Sequence, residues 1–202
     1  MKHFLNKKII NNSTKGFTLV EFIVIMSIFA IMVGVVLFNF AGFRSTVTME
    51  NLAHDIALSI RQIQVSSGAT RSIDNPDKET PRGIAFFKDS SGWEKRFVIF
   101  EDTTGDSSYS LEEDLLIDDI SIQTKDFISD ICFTNDLNDS DCTQINDSQA
   151  VILFQRYSTE ALFISDTLGA EQVGYWIIKI QSGDSGKIRE VVVSRIGQVS
   201  VR

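Results

Sequence analysis

The most constraining feature of the sequence is a long run of apolar residues close to the N-terminus. No charged side chain occurs from Phe22 to Phe43, and the next charge is Arg44. A helix needs about 20 apolar residues to cross the hydrocarbon core of a bilayer. The stretch from Phe17 to Phe43, which contains one acid at Glu21, is therefore long enough to form a transmembrane segment.

The charges on the two sides of this run differ. Four lysines and no acid precede it, whereas Arg44 on the far side is soon followed by Glu50 and Asp55. An excess of lysine and arginine marks the cytoplasmic side of a membrane helix. The asymmetry predicts a single-pass protein of the plasma (inner) membrane, with a cytoplasmic N-terminus and an extracytoplasmic C-terminal domain.

Glu21 is an unusual residue for such a segment. A carboxylate at the centre of a spanning helix costs about 2.5–3.5 kcal/mol on insertion scales. A cationic partner is therefore expected. The candidate on this chain is the α-amine that cleavage between Gly16 and Phe17 would expose.

The residues around Glu21 carry a family resemblance. Lys15-Gly16 followed by Phe17-Thr18-Leu19-Val20-Glu21 resembles the processing signal of type IV prepilins and type II secretion pseudopilins. The resemblance implies cleavage after Gly16 by a prepilin peptidase/methyltransferase and N-methylation of Phe17. It also implies that Glu21 pairs with the terminal amine of a neighbouring pilin or pseudopilin subunit during filament assembly, which makes the chain a structural subunit.

Two other interpretations explain less of this region. A secretory signal peptide has a shorter apolar region, with its cleavage site after it. A plain single-span anchor explains the length and orientation but not Glu21. The anchor is the basis of an alternative function, a membrane-anchored β-domain receptor or adhesin that does not polymerise.

Net charge bears on the choice of partners. The formal charge is −8, and removal of the four leader lysines takes it to −12. DNA binding relies on Lys and Arg. Some relatives of the resembled family bind DNA through a C-terminal Gly-Arg-x-Arg motif, but this chain has Gly197-Gln-Val-Ser200 at that place, with Arg195 and Arg202 nearby. Composition and motif therefore argue against DNA as a partner.

Helical periodicity continues beyond the apolar run. Neither proline nor glycine occurs from Arg44 to Ser67. Apolar residues recur there at spacings of three and four, which makes one apolar helix face: Met49, Leu52, Ile56, Ile60 and Ile63. The predicted organisation is a cleaved leader (1–16), a long helix (17–67) with its transmembrane part at 17–43, and a β-rich extracytoplasmic domain (68–202).

Short β-type runs separated by turn residues fill the C-terminal part. They are 83–88, 96–101, 115–122, 127–133, 150–156, 161–164, 173–180, 189–195 and 198–201. The expected fold class is α+β, in which the second half of the helix packs on a mainly antiparallel β domain, as in the pilin fold. The segments 52–62 and 189–199 are similar to those of the minor GspH/FimT group of pilins and pseudopilins.

Cys132 and Cys142, the two cysteines of the chain, lie ten residues apart. Outside the cytoplasm they are expected to form a disulfide, although two free thiols remain an alternative. A zinc site needs more ligands than this pair supplies. No cofactor-binding motif is present.

An acidic segment at 102–114 presents oxygen-bearing residues at the spacing of a calcium loop. Asp102, Asp106 and Glu113 would be the carboxylate ligands, but Ser107 stands where such loops have glycine. A solvated acidic turn is the favoured interpretation, and calcium binding is the alternative. Hydrolytic chemistry would have to recruit His54, for which no nucleophile motif is present, so no enzyme activity is expected.

Overall fold

The computed structural model describes residues 16–69, 80–137, 142–165 and 173–202. The predicted leader, apart from Gly16, lies outside these residues. The chain divides into two compact units, Met1–Ala41 and Gly42–Arg202.

The described part of the chain contains one helix, α1, and ten strands. Helix α1 covers Leu19–Ala69. The strands are β1 Arg82–Asp89, β2 Gly92–Glu101, β3 Leu115–Ser121, β4 Phe127–Thr134, β5 Thr143–Gln144, β6 Gln149–Phe154, β7 Ala161–Ile164, β8 Tyr175–Gln181, β9 Ile188–Ser194 and β10 Val199–Val201.

The strands form two five-stranded sheets. One has the order β3-β2-β1-β6-β7 and the other β10-β9-β8-β4-β5. Every strand pairing within them is antiparallel. The predicted fold class, a long helix followed by a mainly antiparallel β domain, is confirmed. Each of the nine predicted β-type runs corresponds to one strand, and the two-residue strand β5 was not predicted.

The second part of α1 packs on the β domain through the apolar face that its periodicity predicts. Ile56 and Ile60 are completely buried, whereas Leu58 between them is 60 % exposed. The cluster that surrounds them draws side chains from both sheets. Within it, the rings of Phe163 and Trp176 stack with their centroids 5.0 Å apart. Helix and sheets therefore share one hydrophobic core.

Polar contacts fix the same helix against β10 and the segment between β6 and β7. The Arg61 guanidinium donates to the Val199 carbonyl oxygen of β10 at 2.6 Å. The Gln64 amide donates to the carbonyl oxygen of Thr159 at 2.9 Å. Gly197, in the β9–β10 turn, has a φ of +83° and lies so close that a Cβ there would overlap both Thr159 and Gln64. Only glycine fits this turn without strain.

Candidate processing and assembly site

Helix α1 begins immediately after the predicted cleavage site. The hydroxyl oxygen of Thr18 accepts a hydrogen bond from the Glu21 amide at 3.2 Å, and the Thr18 carbonyl oxygen accepts one from Phe22. Thr18 is thus the N-cap of the helix, and Thr-Leu-Val-Glu has the spacing of a capping box. The sequence segment that resembles a processing signal also starts the helix.

Glu21 lies in the first turn of α1. The free amides of the first turn make this the end of a helix that favours a negative charge. The carboxylate at this position is therefore more favourable than the mid-membrane carboxylate assumed from the sequence. Its side chain forms no hydrogen bond or ion pair with any residue in the described part of the chain.

The side chains that follow Glu21 are unusual for a folded protein because they are apolar and exposed. From Leu19 to Leu37 the large apolar residues of α1 lie open to the surroundings; Phe29, for example, is 62 % exposed. By length and composition, α1 could cross a membrane. An exposed apolar surface of this size marks a contact with lipid or protein.

His54 does not form a catalytic arrangement in the described residues. It is exposed on α1 and lines a shallow groove beside Ser200 of β10. No hydrogen bond joins the two side chains within the residues that the structure covers. The groove holds the Arg61 contact to Val199, which is a structural link.

The acidic loop between β2 and β3 is organised by Asp102, whose side chain is buried. Its carboxylate accepts hydrogen bonds from the amides of Gly105 at 2.6 Å and Ser107 at 3.1 Å. A third comes from the Thr104 hydroxyl at 3.2 Å. Asp114 accepts from the amides of Thr103 and Ser110 in the same way. These two carboxylates therefore hold the loop in its conformation through hydrogen bonds to groups of the same loop.

The other predicted calcium ligands are used locally or lie exposed. The carboxylate of Asp106 accepts hydrogen bonds from Ser108, whose amide lowers the pKa of that carboxyl below its ordinary value. The side chain of Glu113 is exposed. Among the described residues, no group of three or more His, Cys, Asp or Glu side chains could hold a metal ion. The geometry adds no support to the calcium alternative.

Tyr109 shows what this loop does in the structure. Its ring lies 5.1 Å from that of Phe100 and 5.9 Å from that of Phe87. Both phenylalanines belong to an apolar cluster built around Val98 and Leu153, separate from the main core. Burial raises the pKa of the Tyr109 phenol above its ordinary value. The loop is a cover for this second apolar cluster.

Replacing Asp102 with alanine is expected to lower the free energy of unfolding by about 2–3 kcal/mol, because two loop amides lose a buried charged acceptor. Asp106→Ala is the matched control: it removes an exposed carboxylate of the same loop and is expected to change the free energy by less than about 0.5 kcal/mol. Thermal unfolding of the full chain in detergent, with EDTA or millimolar calcium, measures both. A calcium-dependent rise in the midpoint that Asp106→Ala abolishes would instead support a calcium site.

A disulfide joins Cys132 and Cys142, with the two Cα atoms 5.6 Å apart. It connects β4 to the chain segment just before β5. Cys132 is buried in a small cluster with Ile177 and Val192. Closing a loop this short contributes about 2–3 kcal/mol in the chain-entropy model.

The residues near the C-terminus are held in place by contacts with other parts of the described chain. The guanidinium of Arg202 pairs with the Glu190 carboxylate at 2.7 Å, and Gly197 sits against the helix as described above. One of the two arginines near residues 197–200, where the sequence lacks the Gly-Arg-x-Arg motif, thus has its charge offset. This arrangement adds no support for DNA binding.

Comparison with known proteins gives one match. Residues 11–37 match the family model of the prokaryotic N-terminal methylation motif. No curated protein matches the chain, and no solved structure matches it. The matched segment covers the leader end, the Thr18 cap, Glu21 and the exposed apolar part of α1.

This match identifies the N-terminal segment of the chain. The chain has the N-terminal signal of a type IV pilin-like precursor, the class that prepilin peptidase processes. The motif indicates a structural subunit, and α1 is long and apolar enough to cross a membrane.

Sequence reasoning missed three residues that shape these regions. Thr18 lies within the processing motif, and its spacing to Glu21 is the signal that could have identified it as the helix cap. Tyr109 and Asp114 were treated as parts of a solvated turn. Asp114 accepts hydrogen bonds from amides of its own loop, whereas the role of Tyr109 depends on a cluster formed by distant strands, which no local pattern reports.

Proposed function

We propose that the chain is a minor pilin or pseudopilin, a structural subunit of a type IV pilus or type II secretion-like filament. The observation that carries the proposal is the methylation-motif match at residues 11–37. The Thr18-capped helix with Glu21 in its first turn supports it. A two-sheet β domain packed on the second part of α1 is compatible with the GspH/FimT type.

In this proposal the chain is first a membrane precursor. The leader (1–16) faces the cytoplasm, the apolar part of α1 crosses the membrane, and the β domain lies outside. Prepilin peptidase cuts the Gly16–Phe17 bond and the new amine of Phe17 is methylated. The exposed apolar side chains of α1 then exchange lipid contacts for contacts with neighbouring subunits.

Assembly requires the charge of Glu21 to be neutralised. Within the described residues its carboxylate has no cation beside it. Cleavage creates an amine four residues before it in the chain. The amine of Phe17 on a neighbouring subunit supplies the partner and selects one axial position for each new subunit.

Gly16→Ala is expected to leave the leader attached, because the processing signal that the chain resembles has glycine directly before the cut. Gly34→Ala is the matched control. A Cβ at either glycine meets no atom within 4 Å, so neither change disturbs packing within the chain. The measurement is intact-mass analysis of chains from cells that contain the processing enzyme. The wild-type chain and Gly34→Ala should each have lost 16 residues and gained one methyl group, whereas Gly16→Ala should retain the leader. A mature protein that starts at any residue other than Phe17 would contradict the proposal.

A further inference from the structure

Cations gather at the end of the β domain where α1 enters it. The ammonium group of Lys187, in the β8–β9 turn, lies 3.1 Å from the hydroxyl oxygen of Thr46. Two residues further on, Arg189 pairs with Glu50 at 2.8 Å. The β8–β9 turn therefore lies beside the first turns of α1 that follow the uncharged run.

The loop between β3 and β4 belongs to the same end of the domain. Gly183 of the β8–β9 turn lies so close to it that a Cβ would overlap the Lys125 carbonyl oxygen. The Lys125 ammonium pairs with Asp184 at 2.7 Å. Lys95 of β2 donates to the carbonyl oxygen of Thr124 at 3.0 Å. We name the resulting set the juxtamembrane cations: Arg44, Lys95, Lys125, Lys187 and Arg189.

Part of this positive charge is not offset by ion pairs in the described residues. Carboxylates pair with Lys125 and Arg189. Arg44, Lys95 and Lys187 have no carboxylate within ion-pair distance in the described part of the chain, and all three are exposed. In a chain whose net charge is −8, three uncompensated cations at one end are a marked exception.

Two exposed apolar residues accompany these cations. Phe43 is 67 % exposed and directly precedes Arg44, and Ile188 is 49 % exposed and directly follows Lys187. Aromatic and aliphatic side chains beside lysine and arginine are typical of surfaces that rest at the headgroup level of a bilayer. Phe43 is also the last residue of the run that is long enough to span the membrane.

We propose that the juxtamembrane cations hold the β domain against anionic phospholipid headgroups while the chain resides in the membrane. The inference rests on the proposed function, because it requires the apolar part of α1 to be embedded in the bilayer. Each cation near an anionic surface contributes about 1 kcal/mol. Leaving the membrane for a filament then requires these contacts to be broken.

The test uses the full mature chain, reconstituted in vesicles of phosphatidylcholine alone or mixed with phosphatidylglycerol. Ser185→Cys, in the exposed β8–β9 turn, carries a fluorophore; both native cysteines are in the disulfide and stay unlabelled. Quenching by a headgroup-attached quencher reports contact of the turn with the membrane. We expect stronger quenching in the anionic vesicles, and its loss at high salt because screening is then complete within a few ångströms.

Lys187→Gln is expected to lower the ratio of docked to undocked domains about fivefold, the equivalent of about 1 kcal/mol. Arg195→Gln is the matched control because Arg195 follows the opposite end of β9; it is expected to leave the ratio unchanged. Equal quenching in both lipids, or an equal loss for the two variants, overturns the inference. A chain that does not float with vesicles of either kind overturns the proposed function itself, and the inference with it.

Discussion

Replacing Glu21 with alanine is expected to leave cleavage after Gly16 intact but to reduce the amount of mature chain in filaments at least tenfold. The carboxylate lies in the first turn of α1, three residues from its cap, and no described residue of the same chain neutralises it. We expect its partner to be the methylated amine of Phe17 on a neighbouring subunit. A tenfold loss corresponds to about 1.4 kcal/mol, a modest share of an ion pair in an apolar environment.

Ser27→Ala is the control for this change. Ser27 is another polar residue of the apolar run, but its hydroxyl already donates to the carbonyl oxygen of Val24. Its replacement should leave incorporation unchanged. The measurement is the fraction of mature chain recovered in sheared filaments, with the membrane fraction analysed for cleavage. Normal incorporation of Glu21→Ala would contradict the assembly role of Glu21. Absence of the wild-type chain from all filament fractions would favour the alternative function, a receptor or adhesin that does not polymerise.

Ile60→Ala is expected to have the largest effect on stability, with a loss of about 2–5 kcal/mol in the free energy of unfolding. Ile60 is completely buried where α1 meets the core that both sheets share. Truncation leaves a cavity between rigid elements that cannot close around it. For a chain of this size the unfolding midpoint should fall by roughly 5–15 °C.

Leu58→Ala tests whether burial is the cause. Leu58 is on the same helix two residues earlier and is 60 % exposed. The same chemical change there should cost less than about 0.5 kcal/mol. Thermal unfolding followed by near-ultraviolet circular dichroism compares the two variants. Equal losses would show that helix propensity, not packing on the β domain, determines the stability of this region.

Much of the fold could be predicted because its signals are local. Alternation of apolar and polar residues identified nine strands, and spacings of three and four identified the buried face of α1. Strand β5 escaped because two residues, Thr143 and Gln144, carry no periodicity. The pairing of strands into two sheets was not predictable, since it depends on contacts between segments far apart in the sequence.

The candidate sites also differ in how far the sequence alone could predict them. Gly16, Phe17 and Glu21 lie within a few residues of one another, so their motif is visible in the sequence. The acidic loop was open to misinterpretation because spacing alone does not show where a carboxylate points. In the structure Asp102 points inward to loop amides and Tyr109 covers distant strands.

The sequence by itself determined the apolar run, its orientation signals and the processing motif, because each depends on composition or spacing over short distances. Only the tertiary structure decided what the polar groups do. It placed Glu21 at a capped helix end and turned the acidic loop into a cover. It also brought Arg44, Lys95 and Lys187, from three separate segments, to one end of the β domain. Charges distant in sequence act together only when the fold brings them together, and their combined field is a property of that arrangement.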